Sequence, residues 1–258
     1  MPGNDLALVT DAAREAGAVA MRFWRKSPKA WDKDHGAGPV TEADHAVNDC
    51  LSARLRGARP AYGWLSEETP DNTDRLSAEA VFIIDPIDGT RAFIAGEEVF
   101  AVAIAVARHG KVTAGAVYLP ALDRMYAASD TETASLNGRP LAASLTAEPD
   151  GARVLTTAPN MAAIHWPGGV PNLKRSFRPS LAYRLCLVGE GRHDGMVTFR
   201  DAWEWDIAAA SLIASQGGAV VTDRLGHPLQ FNARHPQSAG VIAAAPALHP
   251  ALMRRILV

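Results

Sequence analysis

Residues 81–94, VFIIDPIDGTRAFI, begin as an apolar run and turn abruptly into Asp-Pro-Ile-Asp-Gly-Thr. A short apolar run of this kind reads as a buried strand, so the fold must accommodate a strand whose end carries two carboxylates, a proline and a glycine. Pro86 cannot donate to a sheet ladder, and the strand is expected to stop pairing there. Gly89 permits a tight turn, after which TRAFIA starts a short helix. This geometry aims Asp85, Asp88 and the Ile87 carbonyl out of the strand's end. Taken by itself the segment is equally an ordinary turn or a site for a hard cation such as Mg²⁺, with the N–H groups of Gly89 and Thr90 open to an anion.

The surrounding pattern predicts helices first and strands after. Leu6, Val9, Thr10, Ala13, Ala16, Ala20 and Trp24 recur at spacings of three and four, the mark of a long amphipathic helix ending before Ser27-Pro28. The polar stretch DKDHGAGPV is expected to be a mobile loop. Thr41 then opens a second helix with Ala43, Ala46, Val47, Cys50, Leu51 and Leu55 on one face. AYGWL and VFIID are short buried strands; VFAVAIAVA and KVTAGAVYL form a hairpin closed at His109-Gly110. RMYAAS and the Asn137-Gly138 turn continue a largely antiparallel sheet. Beyond residue 150, ARVLTTA and AGVIAAA read as strands, with helices near 181–190 and 205–216, the latter stopped at Gly217-Gly218. Two closely packed lobes, 1–145 and 146–258, forming together one domain, fit this pattern better than two independent domains.

A net charge of −2 without any basic run argues against a nucleic-acid polymer as partner. The longest apolar stretches are about half the ~20 residues that a membrane span needs, and the N-terminus lacks the pattern of a signal peptide. Cys50 and Cys186 have no metal-ligand spacing and are expected to be buried free thiols in a reducing cytoplasm.

Three further acidic segments are each open to a plain explanation. In WLSEETPD, successive strand residues face opposite ways, so a metal centre would take one of the two glutamates, Glu67; a solvated acidic loop explains them as well. Thr41 and Asp44 in PVTEADHAV have capping-box spacing. The Asp206 carboxylate in WEWDIAAASLIA lies in a first helical turn, where the macrodipole favours it.

Taken in order, PVTEAD, LSEET, DPIDGT and EWDIAAA resemble the four signature segments of the inositol monophosphatase superfamily of Mg²⁺-dependent, lithium-sensitive phosphatases, and the resemblance spans essentially the whole chain. It implies an α/β fold, the layered αβαβα sandwich of the sugar phosphatases, and a homodimer. It also implies two or three Mg²⁺ ions: Glu67, Asp85 and the Ile87 carbonyl around one, Asp85, Asp88 and Asp206 around a second, and a weaker third held by Glu67 through water. Asp44 would accept a hydrogen bond from the Thr90 hydroxyl, which orients the attacking water, making Asp44, Thr90 and Glu67 the catalytic residues. Asp88, Gly89, Thr90, Arg184 and Asp206 would bind substrate. One ion lowers the pKa of the water and another stabilises the leaving alkoxide, as in two-metal displacement at phosphorus.

WLSEET, DPIDGTRAFIAG and GAVYLPALDRMYAAS look most like the CysQ-type 3′(2′),5′-bisphosphate nucleotidases, which implies adenosine 3′,5′-bisphosphate as substrate. Inositol 1-phosphate and histidinol phosphate are the alternatives, fructose 1,6-bisphosphate a weaker one. An inactive relative that binds a phosphorylated ligand as a regulator is the alternative of another class, against which the complete carboxylate set argues. SLAYRLCLVGEGRHDG departs from the serine-rich segment of many nucleotidases, with Arg184 at its basic position facing a second phosphate or a carboxylate, or else in a surface ion pair. Trp203 or Trp205 would stack on a base, or else pack in the core.

Overall fold

The computed structural model describes residues 5–33 and 38–257. Helix α1 (Asp5–Phe23), strands β1 (Ala30–Asp32) and β2 (Pro39–Thr41) and helix α2 (Glu42–Ala58) come first. The first sheet follows: β3 (Gly63–Ser66), β4 (Ala80–Asp88), then after the short helix α3 (Thr90–Ile94) β5 (Ala101–Arg108), β6 (Lys111–Leu119), β7 (Arg124–Ser129), β8 (Glu132–Leu136) and β9 (Arg139–Pro140). Next come β10 (Arg153–Leu155), β11 (Lys174–Ser176), α4 (Leu181–Gly189), β12 (Gly195–Thr198), β13 (Ala202–Trp203) and α5 (Glu204–Gln216). The chain ends with β14 (Val220–Thr222), β15 (Gln237–Ser238), β16 (Val241–Ala244) and α6 (Leu248–Ile256).

The seven strands β3 to β9 lie side by side in chain order, antiparallel except for the parallel pair β3 and β4. A five-stranded mixed sheet runs β11-β10-β12-β16-β14. Three apolar clusters stack these into layers. Val9, Ala13 and Ala16 of α1 and Val47, Leu51 and Leu55 of α2 cover one face of the first sheet, meeting Phe82, Ile84, Val102 and Ile104. Its other face, with Val81, Ile83, Ala103 and Ala105, packs on α4 and α5, which also meet Leu155, Met196 and Ala243 of the second sheet. Helix α6 closes the far face through Leu248 and Leu252. The result is the expected αβαβα sandwich, and β4 is buried along its length because neighbouring residues feed both cores.

The close fit of α5 depends on a missing side chain: a Cβ on Gly115 in β6 would lie 3.0 Å from backbone atoms of Ala209. Such spacing is tighter than van der Waals packing allows without a shift, so helix and sheet approach nearly to backbone contact.

Four details differ from the sequence reading. Pairing of β4 does not stop at Pro86. It lapses for Pro86 and Ile87 and resumes at Asp88 opposite Ala101, the extra residue being taken up by a bulge between Asp85 and Asp88. Second, Asp32 and Pro39–Val40, assigned to a mobile loop, pair as β1 with β2; the centre of that stretch, 34–37, lies outside the described residues. Third, α6 was not anticipated. Pro250 stands in its first turn, where the absent N–H is no loss. Finally, Cys186 is buried and free as expected, while free Cys50 is half-buried.

Candidate active site

The bulge decides what β4 presents. The Ile87 N–H donates to Asp85 Oδ1 at 3.0 Å, so the Asp85 side chain holds the turn around Pro86. Gly89 follows at φ +98°, a left-handed conformation that suits glycine, and α3 starts at Thr90, whose hydroxyl donates back to the Ile87 carbonyl at 3.1 Å. Glu67 sits in the turn just past β3, its N–H bonded to the Ile84 carbonyl at 3.2 Å. Asp206 comes from the first turn of α5. One carboxylate oxygen from each of Glu67, Asp85 and Asp206 lies within 4.8 Å of the others.

Three carboxylates this close, with Asp85 1% exposed, repel one another. The Asp85 carboxyl is held well above the usual carboxylate range by burial and then by the charges of Glu67, Asp88, Asp206 and Asp44. Burial, Asp88 and Glu67 do the same to Asp206, with Arg200 opposing. All the donors are hard oxygens, and the charge density calls for a cation. This set fits Mg²⁺ and offers no soft ligand for a thiophilic metal.

Asp88 stands beside this trio, not within it. Its Oδ2 accepts from the Ser180 hydroxyl at 2.5 Å and the Ala182 N–H at 2.7 Å, and its Oδ1 from the Leu181 N–H at 3.2 Å. It therefore ties β4 to the start of α4. Burial raises its pKa while these hydrogen bonds oppose the rise. The sequence reading placed a helix near 181–190, yet nothing in the sequence linked Ser180 to Asp88.

Thr41 and Asp44 form the capping box of α2: Asp44 Oδ2 accepts from the Thr41 N–H at 2.8 Å and hydroxyl at 2.6 Å, and Thr41 Oγ1 accepts from the N–H groups of Ala43 and Asp44. The other Asp44 oxygen lies 3.5 Å from the Thr90 hydroxyl. Burial raises the Asp44 pKa against the two Thr41 hydrogen bonds.

Glu67 and Glu68 do not point to opposite faces, because both lie in a turn beyond the strand. The Lys33 ammonium bridges them, 2.7 Å from Glu67 and 2.5 Å from Glu68. Burial opposes the charge on Lys33, but the two glutamates outweigh it and its pKa is raised. Burial, partly offset by the Lys33 hydrogen bond, pushes Glu68 up to about 7. No periodicity or spacing pointed to Lys33.

A cavity of about 680 Å³ opens here, lined by Glu67, Gly89, Thr90, Thr157, Asn160, Phe177, Arg184 and Arg200 among others. Arg184 donates to the carbonyls of Arg178 at 2.6 Å and Pro179 at 3.1 Å, and its guanidinium lies over the Phe177 ring at 4.4 Å. Burial lowers its pKa, with Asp88 opposing and Arg200 assisting. Neither Arg184 nor Arg200 forms an ion pair among the described residues. Trp203 and Trp205 stack on each other, centroids 4.7 Å apart, and neither is among the lining residues.

Comparison with known proteins bears on this arrangement. The sequence profile described as the inositol monophosphatase family matches residues 4–257. An inositol-1-monophosphatase of Mesorhizobium japonicum is 30% identical, with 86% of each chain covered. A 3′-phosphoadenosine 5′-phosphate phosphatase of Mycobacterium leprae is 29% identical, covering 97% of this chain and 92% of that one. The solved IMPase structure of Thermotoga maritima superposes with a TM-score of 0.83 at 25% identity, over 98% of this chain and 96% of that one.

Proposed function

The chain belongs to the inositol monophosphatase family, and from that premise we propose a Mg²⁺-dependent phosphomonoesterase that removes the 3′-phosphate of adenosine 3′,5′-bisphosphate. The observation that carries the substrate choice is the cavity itself. Glu67, a member of the acidic trio, lines it together with two guanidinium groups, Arg184 and Arg200, that form no direct ion pair among the described residues. A substrate with two anionic groups suits both features, one phosphate at the cation site and one at the arginines. The name of the mycobacterial relative supports the same class of substrate.

Glu67, Asp85 and the Ile87 carbonyl would hold one Mg²⁺, and Asp85, Asp88 and Asp206 a second, with Asp85 shared between them. When bound, Mg²⁺ neutralises phosphoryl charge and acidifies water. The chain's own groups then position the reactants. Gly89 and Thr90, on the cavity wall, contact the phosphoryl oxygens. The Thr90 hydroxyl, bonded to the Ile87 carbonyl and 3.5 Å from Asp44, takes a proton from the attacking water and passes one to Asp44. The raised Asp44 pKa favours that acceptance. Water adds at phosphorus as its proton moves through Thr90 to Asp44, the ester P–O bond breaks, and the leaving oxygen takes a proton from solvent, giving the alcohol and inorganic phosphate. No side chain is needed as a covalent nucleophile.

The same reading takes the protein as a cytoplasmic homodimer. No helix of the described residues is long and apolar enough to cross a membrane. The reading also divides the chain into two lobes, 1–145 and 146–258, a division supported by the gap between Pro140, the last strand residue of the first sheet, and Arg153, the first in the chain of the second. Phosphate release with Mg²⁺ from adenosine 3′,5′-bisphosphate, inositol 1-phosphate, histidinol phosphate and fructose 1,6-bisphosphate, with Asp85→Asn as blank, tests the function. The highest kcat/KM is expected for the nucleotide. Preference for another ester would overturn the substrate, and no Mg²⁺-dependent release would favour a ligand-binding regulator.

A further inference from the structure

Two members of the acidic trio come from separate supports. Glu67 lies in the turn after β3, while Asp206 lies at the start of α5. A hydrogen-bond network whose residues are not among those lining the cavity joins the segment that follows Glu67 in the chain to the first turn of α5, which carries Asp206. Its centre is Arg75, in the 3₁₀ turn over Thr73–Ser77 that follows Glu67 in the chain.

The Arg75 side chain is 1% exposed. Nε and Nη2 donate to the two Asp71 oxygens at 2.6 and 2.8 Å, a bidentate pair. Nη1 donates to Asn232 Oδ1 at 2.6 Å and Nη2 to the Ala233 carbonyl at 2.9 Å, while Asn232 Nδ2 returns a bond to the Arg75 carbonyl at 3.2 Å. From the other side, the Glu204 carboxylate accepts the N–H groups of Asn232 at 2.6 Å and Ala233 at 2.9 Å. Glu204 is 1% exposed and stands two residues before Asp206 in the first turn of α5.

Charged groups this deeply buried are costly to desolvate, and replacing them with apolar residues is often neutral or favourable for stability alone. A rigid link between two segments that must hold a fixed separation is a different matter. Asn232, at φ +61°, turns the loop so that its backbone faces Glu204 and its side chain faces Arg75. Outer groups that orient ligand-bearing segments commonly change metal affinity by about 10–100-fold when removed.

We infer that Arg75, Asn232 and Glu204 are positioning residues of the cation site: they fix the separation of Glu67 and Asp206 and thereby set the affinity for Mg²⁺. The inference rests on the reading of the acidic trio as a Mg²⁺ site. It assigns these residues no contact with substrate.

The test is Mg²⁺ binding by isothermal titration calorimetry on the full chain without substrate. Asn232→Gly keeps the left-handed backbone and both N–H groups but removes the two Asn232 side-chain bonds to Arg75, leaving only that from Nη2 to the Ala233 carbonyl. Glu204→Gln keeps volume and removes one acceptor. Asp194→Asn serves as control, since Asp194 holds Arg153 in the second sheet and belongs to neither the trio nor the cavity wall. Both network variants should bind Mg²⁺ roughly tenfold or more weakly, with kcat at saturating Mg²⁺ within about twofold of wild type. The control should lose thermal stability with unchanged Mg²⁺ affinity. Unchanged affinity in either folded network variant, or equal weakening in the control, would overturn the positioning role. A wild-type chain that takes up no Mg²⁺ would instead bring down the cation-site reading, and the inference with it.

Discussion

The Lys33 ammonium sits between Glu67 and Glu68, 2.7 Å from one carboxylate and 2.5 Å from the other. Glu67 is therefore both a member of the acidic trio and the partner of an internal cation. A metal drawn to Glu67 competes with that partner.

Lys33→Met should accordingly tighten Mg²⁺ binding, by roughly threefold to tenfold given the strength of a partly exposed pair. The metal-free variant should melt at a lower temperature than wild type at pH 8, because both glutamates lose their counter-charge. Calorimetric titration and thermal melts in EDTA read the two effects. Weaker Mg²⁺ binding would mean that Lys33 organises the site and does not compete for it.

Asp85→Asn should lower Mg²⁺-dependent phosphate release by roughly 10²–10³-fold or more, the scale for removal of one preorganised charge-stabilising group. The amide oxygen can still accept the Ile87 N–H, and one buried negative charge disappears. In EDTA at pH 8 the variant should thus melt no lower than wild type, while gaining little from added Mg²⁺. A collapse of the fold would show Asp85 to be chiefly structural.

Stability of the metal-free protein should fall as pH rises. Asp85, Asp206, Asp88 and Asp44 all have raised folded-state pKa values, and Glu68 titrates at about 7. The native state holds protons that the unfolded chain releases near pH 4. The contribution is fully present below that value and is lost as pH climbs through the folded pKa values. Asp194 has a lowered pKa and the opposite sign, but its window lies below the ordinary carboxylate pKa. His193 and His249, whose pKa values burial lowers, oppose the trend below about pH 6.5, so melting temperatures in EDTA should decline between about pH 6.5 and 8, and saturating Mg²⁺ should remove most of the slope. A flat profile in EDTA would show that the trio does not carry the repulsion deduced from its geometry.

Arg200→Ala should reduce kcat/KM on adenosine 3′,5′-bisphosphate by about 10–100-fold, the cost of one charged hydrogen bond. On inositol 1-phosphate the change should stay within about threefold. Arg184→Ala is less clean, since that side chain also holds the carbonyls of Arg178 and Pro179. Equal losses on both esters after Arg200→Ala would remove the second-anion role.

Much of this was legible before any coordinates. Helices α1, α2, α4 and α5 and strands β3 to β7, β10 and β16 were read from pattern and turn residues, and the Thr41–Asp44 capping box from spacing. What escaped depended on neighbours distant in the chain. The bulge at Pro86 exists only because β5 lies alongside β4 and offers Ala101 as the next partner for Asp88. Ser180 reaches Asp88 across 92 residues and Lys33 reaches Glu67 across 34. The opposition of Glu67 and Glu68 failed for a local reason: strand alternation was applied to two residues that lie in a turn. Helix α6 went unread in a segment that carries Pro246 and Pro250, the latter falling in its first turn, where proline is tolerated.

The close seating of α5 on Gly115 bears on redesign of the pocket. Asp206 rides on a helix pressed almost backbone to backbone against the sheet, so substitutions on that side have no slack to absorb them. Thr157, Asn160, Phe177, Thr198 and Arg200 line the cavity from or beside the connecting segments of the second sheet. That side is the adjustable jaw, where a laboratory library could reshape what the protein accepts while the opposite jaw keeps its chemistry.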